Sequence, residues 1–389
     1  MARLGDLCRF INGDRGKNYP SQAEISSEGD VPFINAGHIV GGKLDFSDMN
    51  YISEEKYNQL NSGKVQENDI LYCLRGSLGK KAIIKGVQKG AIASSLVIIR
   101  PDSRLLNSNF LFYALESPTV QEQMMQANNG SSQPNLSAKS VSDYTFNLPS
   151  INDQFEIVSI LAKVSELITL RKEQLAKLDE LVKARFVEMF GTIHDNKLCY
   201  EIKTLQDVCE QIKDGTHQTP TYTDDSVNGY KFLSSKDVAT GKIDWSHLKY
   251  IPEELHNELY ARISPQKGDV LLAKNGTTGI AAIVDRDEIF DIYVSLALLR
   301  PIDVESVYLW AAINSAETKH QFDASLKGIG VPNLHLGEIK KAKILIPPID
   351  EQKKFAAFVE QTNKTKLTIQ SSLDKLEVMK KALMQEYFG

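Results

Sequence analysis

The sequence predicts an α+β protein written twice: a mixed α/β globule followed by a long helix, then the same pair again. Three observations carry this. The two halves of the 389-residue chain align with each other. Each half holds short apolar runs bounded by Gly, Asn, Asp or Pro, the pattern of strands. Each half also ends in a stretch without Gly or Pro, Ile151 to Phe190 and Ile349 to Phe388, with apolar residues at helical spacing.

The repeat comes first because it decides the architecture. "LGDLC" at Leu4 matches "LQDVC" at Leu205, and "FINAGHIVGGKLDF" from Phe33 matches "FLSSKDVATGKIDW" from Phe232. "YISEEKYNQL" meets "YIPEELHNEL", "NDILYCLRGSLG" meets "GDVLLAKNGTTG", and "SSLVIIRP" meets "VSLALLRP". "QPNL" at Gln133 and "LPSINDQ" at Leu148 find "VPNL" at Val331 and "IPPIDEQ" at Ile346, the offset staying between 198 and 201. Within each half, "DILYCL", "LVIIR", "DVLLA" and "LALLR" read as strands, while "NFLFYALES" and "VYLWAAINS" read as short helices.

The Gly- and Pro-free stretches read as long helices. Asn152 and Asp350 stand where a helix is capped, and Gly191 and Gly389 where one stops. Ile157, Leu161, Val164, Ile168, Leu175, Leu178, Val182 and Met189 form a seam at spacings of three and four, broken at Arg171 and Arg185. Phe355, Val359, Ile369, Leu373, Leu376, Leu383 and Tyr387 keep the same register, with polar Thr362, Lys366 and Lys380 intervening. About 38 residues at 1.5 Å each give roughly 57 Å, longer than a 150-residue domain is wide. The expected arrangement is therefore helix on helix, an antiparallel coiled coil. It would relate the globules by a pseudo-twofold axis. The boundaries are 1–150 and 192–348 for the globules, and 151–191 and 349–389 for the helices.

Composition is that of a soluble globular chain, without the apolar run of about 18 residues that a membrane span needs. The first residues lack a signal-peptide core. Four cysteines, Cys8, Cys73, Cys199 and Cys209, form no C-x-x-C pair, so neither zinc nor a disulfide framework is indicated and a cytoplasmic protein is expected. The net charge of −5 and pI near 5.9 argue mildly against a free-standing nucleic-acid binder. Locally the balance differs. No acidic residue falls between Asp69 and Asp102, whereas Arg75, Lys80, Lys81, Lys85, Lys89 and Arg100 do.

"RGSLGKK" inside that window resembles a phosphate loop but lacks its G-x-x-x-x-G-K-[ST] spacing, with Leu74 at the first glycine position and Lys81 at the Ser/Thr position. Its twin, "KNGTTGI", gives up the lysines after the glycines. No H-E-x-x-H, G-x-S-x-G or Asx-Pro-Pro-aromatic motif occurs, and the seven histidines show no metal-ligand spacing. Nothing in the sequence points to catalysis. Two related heads at a fixed separation suit a duplex, since a protein twofold maps onto a DNA dyad.

The tandem globule–helix layout resembles the specificity (S) subunit of Type I restriction–modification systems over essentially the whole chain. "LPSINDQ" and "IPPIDEQ" opening the helices, "GDRGKNYP" and "DGTHQTP", and the paired glycine hairpins carry the resemblance. It implies a non-catalytic reader of double-stranded DNA with two target recognition domains. It also implies that the helices dock two methyltransferase subunits and, through them, restriction–translocation subunits. S-adenosylmethionine, ATP and magnesium would belong to those partners; this chain would bind no cofactor and no membrane.

The candidate DNA contacts follow from loop chemistry. At the first hairpin they are Arg75, Ser77, Lys80 and Lys81, Arg being able to fork onto guanine and Lys to meet phosphate. At the second they are Lys274, Asn275, Thr277 and Thr278, with Asn275 suited to adenine. Arg15, Lys17, Asn18 and Tyr19 in the first half, and His217, Gln218 and Thr219 in the second, complete the set. Asn135 and Asn333, in the stretches expected to turn each globule toward its helix, read as turn residues. On the residues alone two other classes stay open. One is a protein-interaction scaffold, which the net charge suits. The other is a single-strand binder, which would want exposed aromatics where the basic window offers only Tyr72.

Overall fold

A computed structural model describes residues 1–128, 134–326 and 333–389. It holds two compact units, Met1–Lys172 with Ser371–Gly389 and Glu173–Gln370, and each repeats one topology. In the first unit a four-stranded antiparallel sheet runs in the order Cys8–Asn12, Leu96–Pro101, Ile70–Cys73, Lys81–Ile83. In the second the order is Cys209–Asp214, Leu296–Pro301, Val270–Ala273, Ala281–Ile283. A smaller three-stranded sheet accompanies each: Tyr51–Ile52, Val31–Ile34, Ala91–Ile92 in one and Lys249–Ile251, Tyr230–Leu233, Phe290–Ile292 in the other.

Strand side chains alternate between faces, and here both faces are covered. Val97 and Ile99, with Ile70 and Tyr72, enter one core with Phe110, Leu111 and Phe146. Leu96 and Ile98, with Leu71 and Cys73, enter another with Ile34, Ile84 and Ile92. The second unit divides Ala297, Leu299, Val270 and Leu272 from Leu296, Leu298, Leu271 and Ala273 in the same way. Burial on both sides is why these strands read as unbroken apolar runs.

The long helices span Ile151–Phe190 and Ile349–Phe388. They begin earlier than their expected caps. The Ser150 hydroxyl accepts from the Asp153 N–H at 3.3 Å and donates to its carboxylate at 2.7 Å, so Asn152 lies inside the first turn. Asp350 likewise lies inside, because the Pro348 carbonyl already accepts from Glu351 N–H at 3.0 Å. Gly191 is the expected stop, with φ +72° and its N–H donating to Val187 O at 2.8 Å.

Each helix also opens on a buried glutamine from the repeated "DQ" and "EQ". Gln154 accepts from Asn107 N–H at 2.8 Å and donates to the Leu105 and Pro149 carbonyls at 2.9 and 3.1 Å. Gln352 accepts from Glu305 N–H and donates to the Pro347 carbonyl, both at 2.8 Å. A motif that marks the helix start in the sequence is, in the fold, the clamp between helix and domain.

The helix ends are core elements as well. In the first unit Ile157 and Leu161 share a core with Met384 and Phe388, and the Phe388 ring lies 4.9 Å from Phe110. In the second, Val182, Phe186 and Phe190 share one with Phe355 and Val359, Phe190 lying 5.0 Å from Tyr308 and 5.6 Å from Phe355. Phe186, Phe190, Met384 and Phe388 stand outside the expected seam, yet share these cores with the seam residues beside them. Polar seam residues find partners: Lys366 pairs with Asp179, and the Arg185 guanidinium lies 5.9 Å from the Phe358 ring. No helix among the described residues is long and apolar enough to cross a membrane.

Candidate nucleic-acid interface

In the central sheet, Asn12 pairs with Val97 and Cys73 with Leu96. The loop after Asn12 and the hairpin after Cys73 therefore leave the sheet at the same end. Asp214 opposite Ala297 and Ala273 opposite Leu296 give the second unit the same layout. Register alone thus gathers the two candidate loops of each unit on one sheet edge.

The hairpins are built as expected. Gly76 and Gly79 have φ of 78° and 73°, and Gly276 and Gly279 have 75° and 81°, in the region that favours glycine. Cys73 N–H donates to the Lys80 carbonyl at 2.8 Å, and Ala273 N–H to Ile280 O at 2.8 Å. On its other flank each hairpin meets the "PNL" segment: Leu136 N–H donates to Leu74 O at 2.8 Å and Leu334 N–H to Lys274 O at 2.7 Å. These segments are not the turn into the long helix, as expected; Asn135 and Asn333 bridge to Arg75 and Asn275 instead. The glycine-containing residues before them, 129–133 and 327–332, lie outside the described residues. At the neighbouring loops, a Cβ on Gly13 would stand 2.8 Å from the Ala93 and Ile92 carbonyls, and one on Gly215 2.0 Å from Ile292 O. Only glycine admits that approach.

The side chains divide the candidates. Arg75 and Ser77 are exposed, and the Arg75 guanidinium has no ion pair or hydrogen bond among the described residues. Lys80 is half-buried and donates to the Ala36 carbonyl at 2.7 Å. Lys81 is not a surface residue. It is 7% exposed, 2.8 Å from Glu116 and 4.3 Å from the Phe112 ring centre, and burial pushes its pKa down against the pull of Glu116. Nor is the acid-free window a bare basic face, because acids outside it answer its charges. Arg100 meets Asp69, Lys89 meets Glu54, and Lys85 lies 3.9 Å from Glu67. Arg15 and Lys17 are exposed and Asn18 half-buried. Tyr19 packs edge-on against Phe33 at 5.7 Å and is fastened to the core.

In the second unit His217, Gln218, Thr219 and Thr277 are exposed and Thr278 half-buried. Lys274 is 6% exposed and donates to Asp214 Oδ2 at 2.8 Å, so it too is withdrawn from the surface. Asn275 Oδ1 is buried and has no partner among the described residues, so the amide does not offer adenine both of its ends. Asp214 holds His217 Nε2 at 3.1 Å as well. Burial pushes the Asp214 pKa up, but Lys274 and His217 outweigh it and hold the carboxyl below its ordinary value. Among the described residues no group of three or more His, Cys, Asp and Glu is placed to hold a metal ion.

The model of one family, the Type I restriction modification DNA specificity domain, matches the chain twice, over residues 1–180 and 199–378. The chain belongs to that family. The MjaVIII specificity subunit of Methanocaldococcus jannaschii is 23% identical, over 99% of this chain and 90% of its own. The EcoKI specificity subunit of Escherichia coli K12 is 20% identical, over 89% and 79%. Among solved structures, the S subunit of a Type I system from M. genitalium superposes with a TM-score of 0.57 at 14% identity, covering 100% of this chain and 95% of its own. A chain from a study of Type I complex assembly and conformational transition gives 0.63 at 17%, covering 99% and 96%. The likeness to both is one of fold.

Two residues of this specificity chain escaped the sequence reading. Asp214 closes the strand Cys209–Asp214, and Arg262, at the end of the helix Glu253–Arg262, donates to the Asp214 and Gly215 carbonyls. The available signal was a paired difference between the repeats. Asn12 and Leu74 in one become Asp214 and Lys274 in the other, at positions that touch.

Proposed function

We propose that this chain is the non-catalytic DNA-reading subunit of a Type I restriction–modification complex. Each unit reads one half of a bipartite, asymmetric target. The observation that carries this is the contrast within the repeat. The fastenings recur, Asp69–Arg100 as Asp269–Arg300 and Gln154 as Gln352. The side chains at the shared sheet edge do not: Arg75 and Ser77 in one unit, His217, Gln218 and Thr277 in the other. A constant frame with changed display fits two readers of different half-sites.

On this reading the long helices pair as an antiparallel coiled coil with pseudo-twofold symmetry. The Lys366–Asp179 and Phe186–Phe355 contacts support it, one helix ascending as the other descends. The pair sets the spacer and docks two methyltransferase subunits, with restriction subunits joined through them. S-adenosylmethionine, ATP and magnesium act on those partners. Exchanging residues 192–348 with those of a relative, followed by methylome sequencing, tests the assignment. One half-site is expected to change, and a change in both would overturn the two-reader model.

A further inference from the structure

We propose that Asp214 is a positioning residue that joins the 214–219 loop and the second hairpin into one reading element, and that His217 accepts a hydrogen bond from the exocyclic amine of adenine or cytosine. The inference rests on the reading above and adds the base chemistry of one contact.

One carboxylate makes the junction. Asp214 Oδ2 accepts from Lys274 Nζ at 2.8 Å, at the buried base of the hairpin, and from His217 Nε2 at 3.1 Å. Arg262 holds the same turn by its backbone, donating to the Gly215 carbonyl at 3.1 Å, and lies 3.5 Å from Asp214 Oδ1. Asp214 is only 8% exposed, yet the His217 side chain is 68% exposed. A buried anion is thus aiming a surface imidazole.

The fold does not require this. In the first unit the same register places Asn12 opposite Val97, and Leu74 N–H donates to Ser95 O at 2.9 Å as Lys274 N–H does to Ser295 O. Asn12 and Leu74 make no ion pair, and that unit closes its sheet without one. Ser62 fastens the Asn12 carbonyl at 2.7 Å, the task Arg262 performs for Asp214. What the second unit adds is a link from hairpin to histidine. Because an ionised carboxylate only accepts, the ring proton sits on Nε2, and the neutral imidazole keeps Nδ1 as an acceptor. In the major groove a lone acceptor matches adenine N6 or cytosine N4 and mismatches the carbonyl edges of guanine and thymine.

The test uses the chain assembled with its methyltransferase partner at pH 8. Binding is titrated against duplexes in which each target base pair is replaced in turn. The double variant Asp214→Asn, Lys274→Leu installs the first unit's own pair and is expected to melt like the wild type. It should lose about tenfold of discrimination, the worth of one base contact, at a single adenine or cytosine of the second unit's half-site. His217→Ala, at an exposed position, should lose the same discrimination at the same base and add nothing in the double variant. Unchanged discrimination in His217→Ala overturns the proposal. So does a loss spread over all sequences, or one centred on guanine or thymine. A wild-type complex with no base preference would instead sink the DNA-reading assignment itself.

Discussion

Asp69 and Arg100 are joined by two hydrogen bonds of 2.7 and 2.8 Å, and Asp269 and Arg300 repeat the junction at 2.9 and 2.8 Å. Each arginine also donates to a backbone carbonyl, Lys64 in one unit and Ser264 in the other. Each aspartate accepts the N–H of a residue three before it, Gln66 or Gln266. The pair therefore ties the central strand to the turn that precedes its neighbour. Asp69→Ala leaves a part-buried guanidinium without its partner and the Gln66 N–H unmet. We expect it to cost about 3 kcal/mol, the scale for removing one member of such a pair, read as a lower urea midpoint for the first unit. Asp269→Ala should act the same way on the second.

Arg75 and Lys81 stand six residues apart and predict opposite phenotypes. Arg75→Ala removes an exposed cation that has no ion pair or hydrogen bond among the described residues. DNA affinity of the assembled complex should fall by about tenfold, with melting unchanged. If Arg75 meets phosphate rather than guanine, the loss will be uniform across sequences and the salt slope will drop by about one. Lys81→Ala instead deprives Glu116 and the Phe112 ring of their partner, so it should lower the melting temperature with little effect on base preference. Filter binding beside thermal melting separates the two.

That contrast marks where the sequence stops being legible. The repeat, the strands and both long helices were readable because periodicity and Gly/Pro punctuation are local signals. The glycine hairpins were readable because positive φ demands glycine. Which lysine faces solvent was not. Lys80 and Lys81 are neighbours, yet strand alternation sends Lys81 inward to Glu116, 35 residues away along the chain. The acid-free window misled for the same reason: Asp69, Glu54 and Glu67 lie outside it in sequence and beside it in space. Phe388 shows the converse. It closes its helix one residue past the seam position Tyr387, and only the tertiary fold places it against Phe110.

A buried histidine–aspartate pair gives the second unit a pH signature. His256 Nδ1 lies 2.7 Å from Asp291 Oδ2, the ring stacks on Tyr230 at 3.7 Å, and Asp291 Oδ1 is buried with no partner among the described residues. Burial pushes the Asp291 pKa up to about 6 despite the opposing His256 bond. A carboxyl whose pKa is raised on folding stabilises below its unfolded value, and that stability is lost as pH rises through the folded one. Wild type should therefore lose stability relative to Asp291→Asn between about pH 4 and pH 7, by on the order of 3 kcal/mol. Paired urea titrations at the two pH values read the difference. A gap that does not vary with pH would contradict it.

The proposed coiled coil makes the last prediction geometric. Its seam recurs every seven residues, so a seven-residue insertion in each long helix keeps every apolar position facing its partner. Seven residues at 1.5 Å add about 10 Å, close to three steps of duplex at about 3.4 Å each. Inserting one heptad after Lys172 and one after Gln370 should therefore lengthen the spacer between half-sites by about three base pairs and leave both half-sites as they were. Four-residue insertions at the same two points give a control, since they break the heptad phase between the two parts of each helix and should impair assembly with the methyltransferase. Methylome sequencing reads the spacer directly. An unchanged spacer in the heptad variant, with methylation intact, would mean that something other than the helices sets the distance between the two readers.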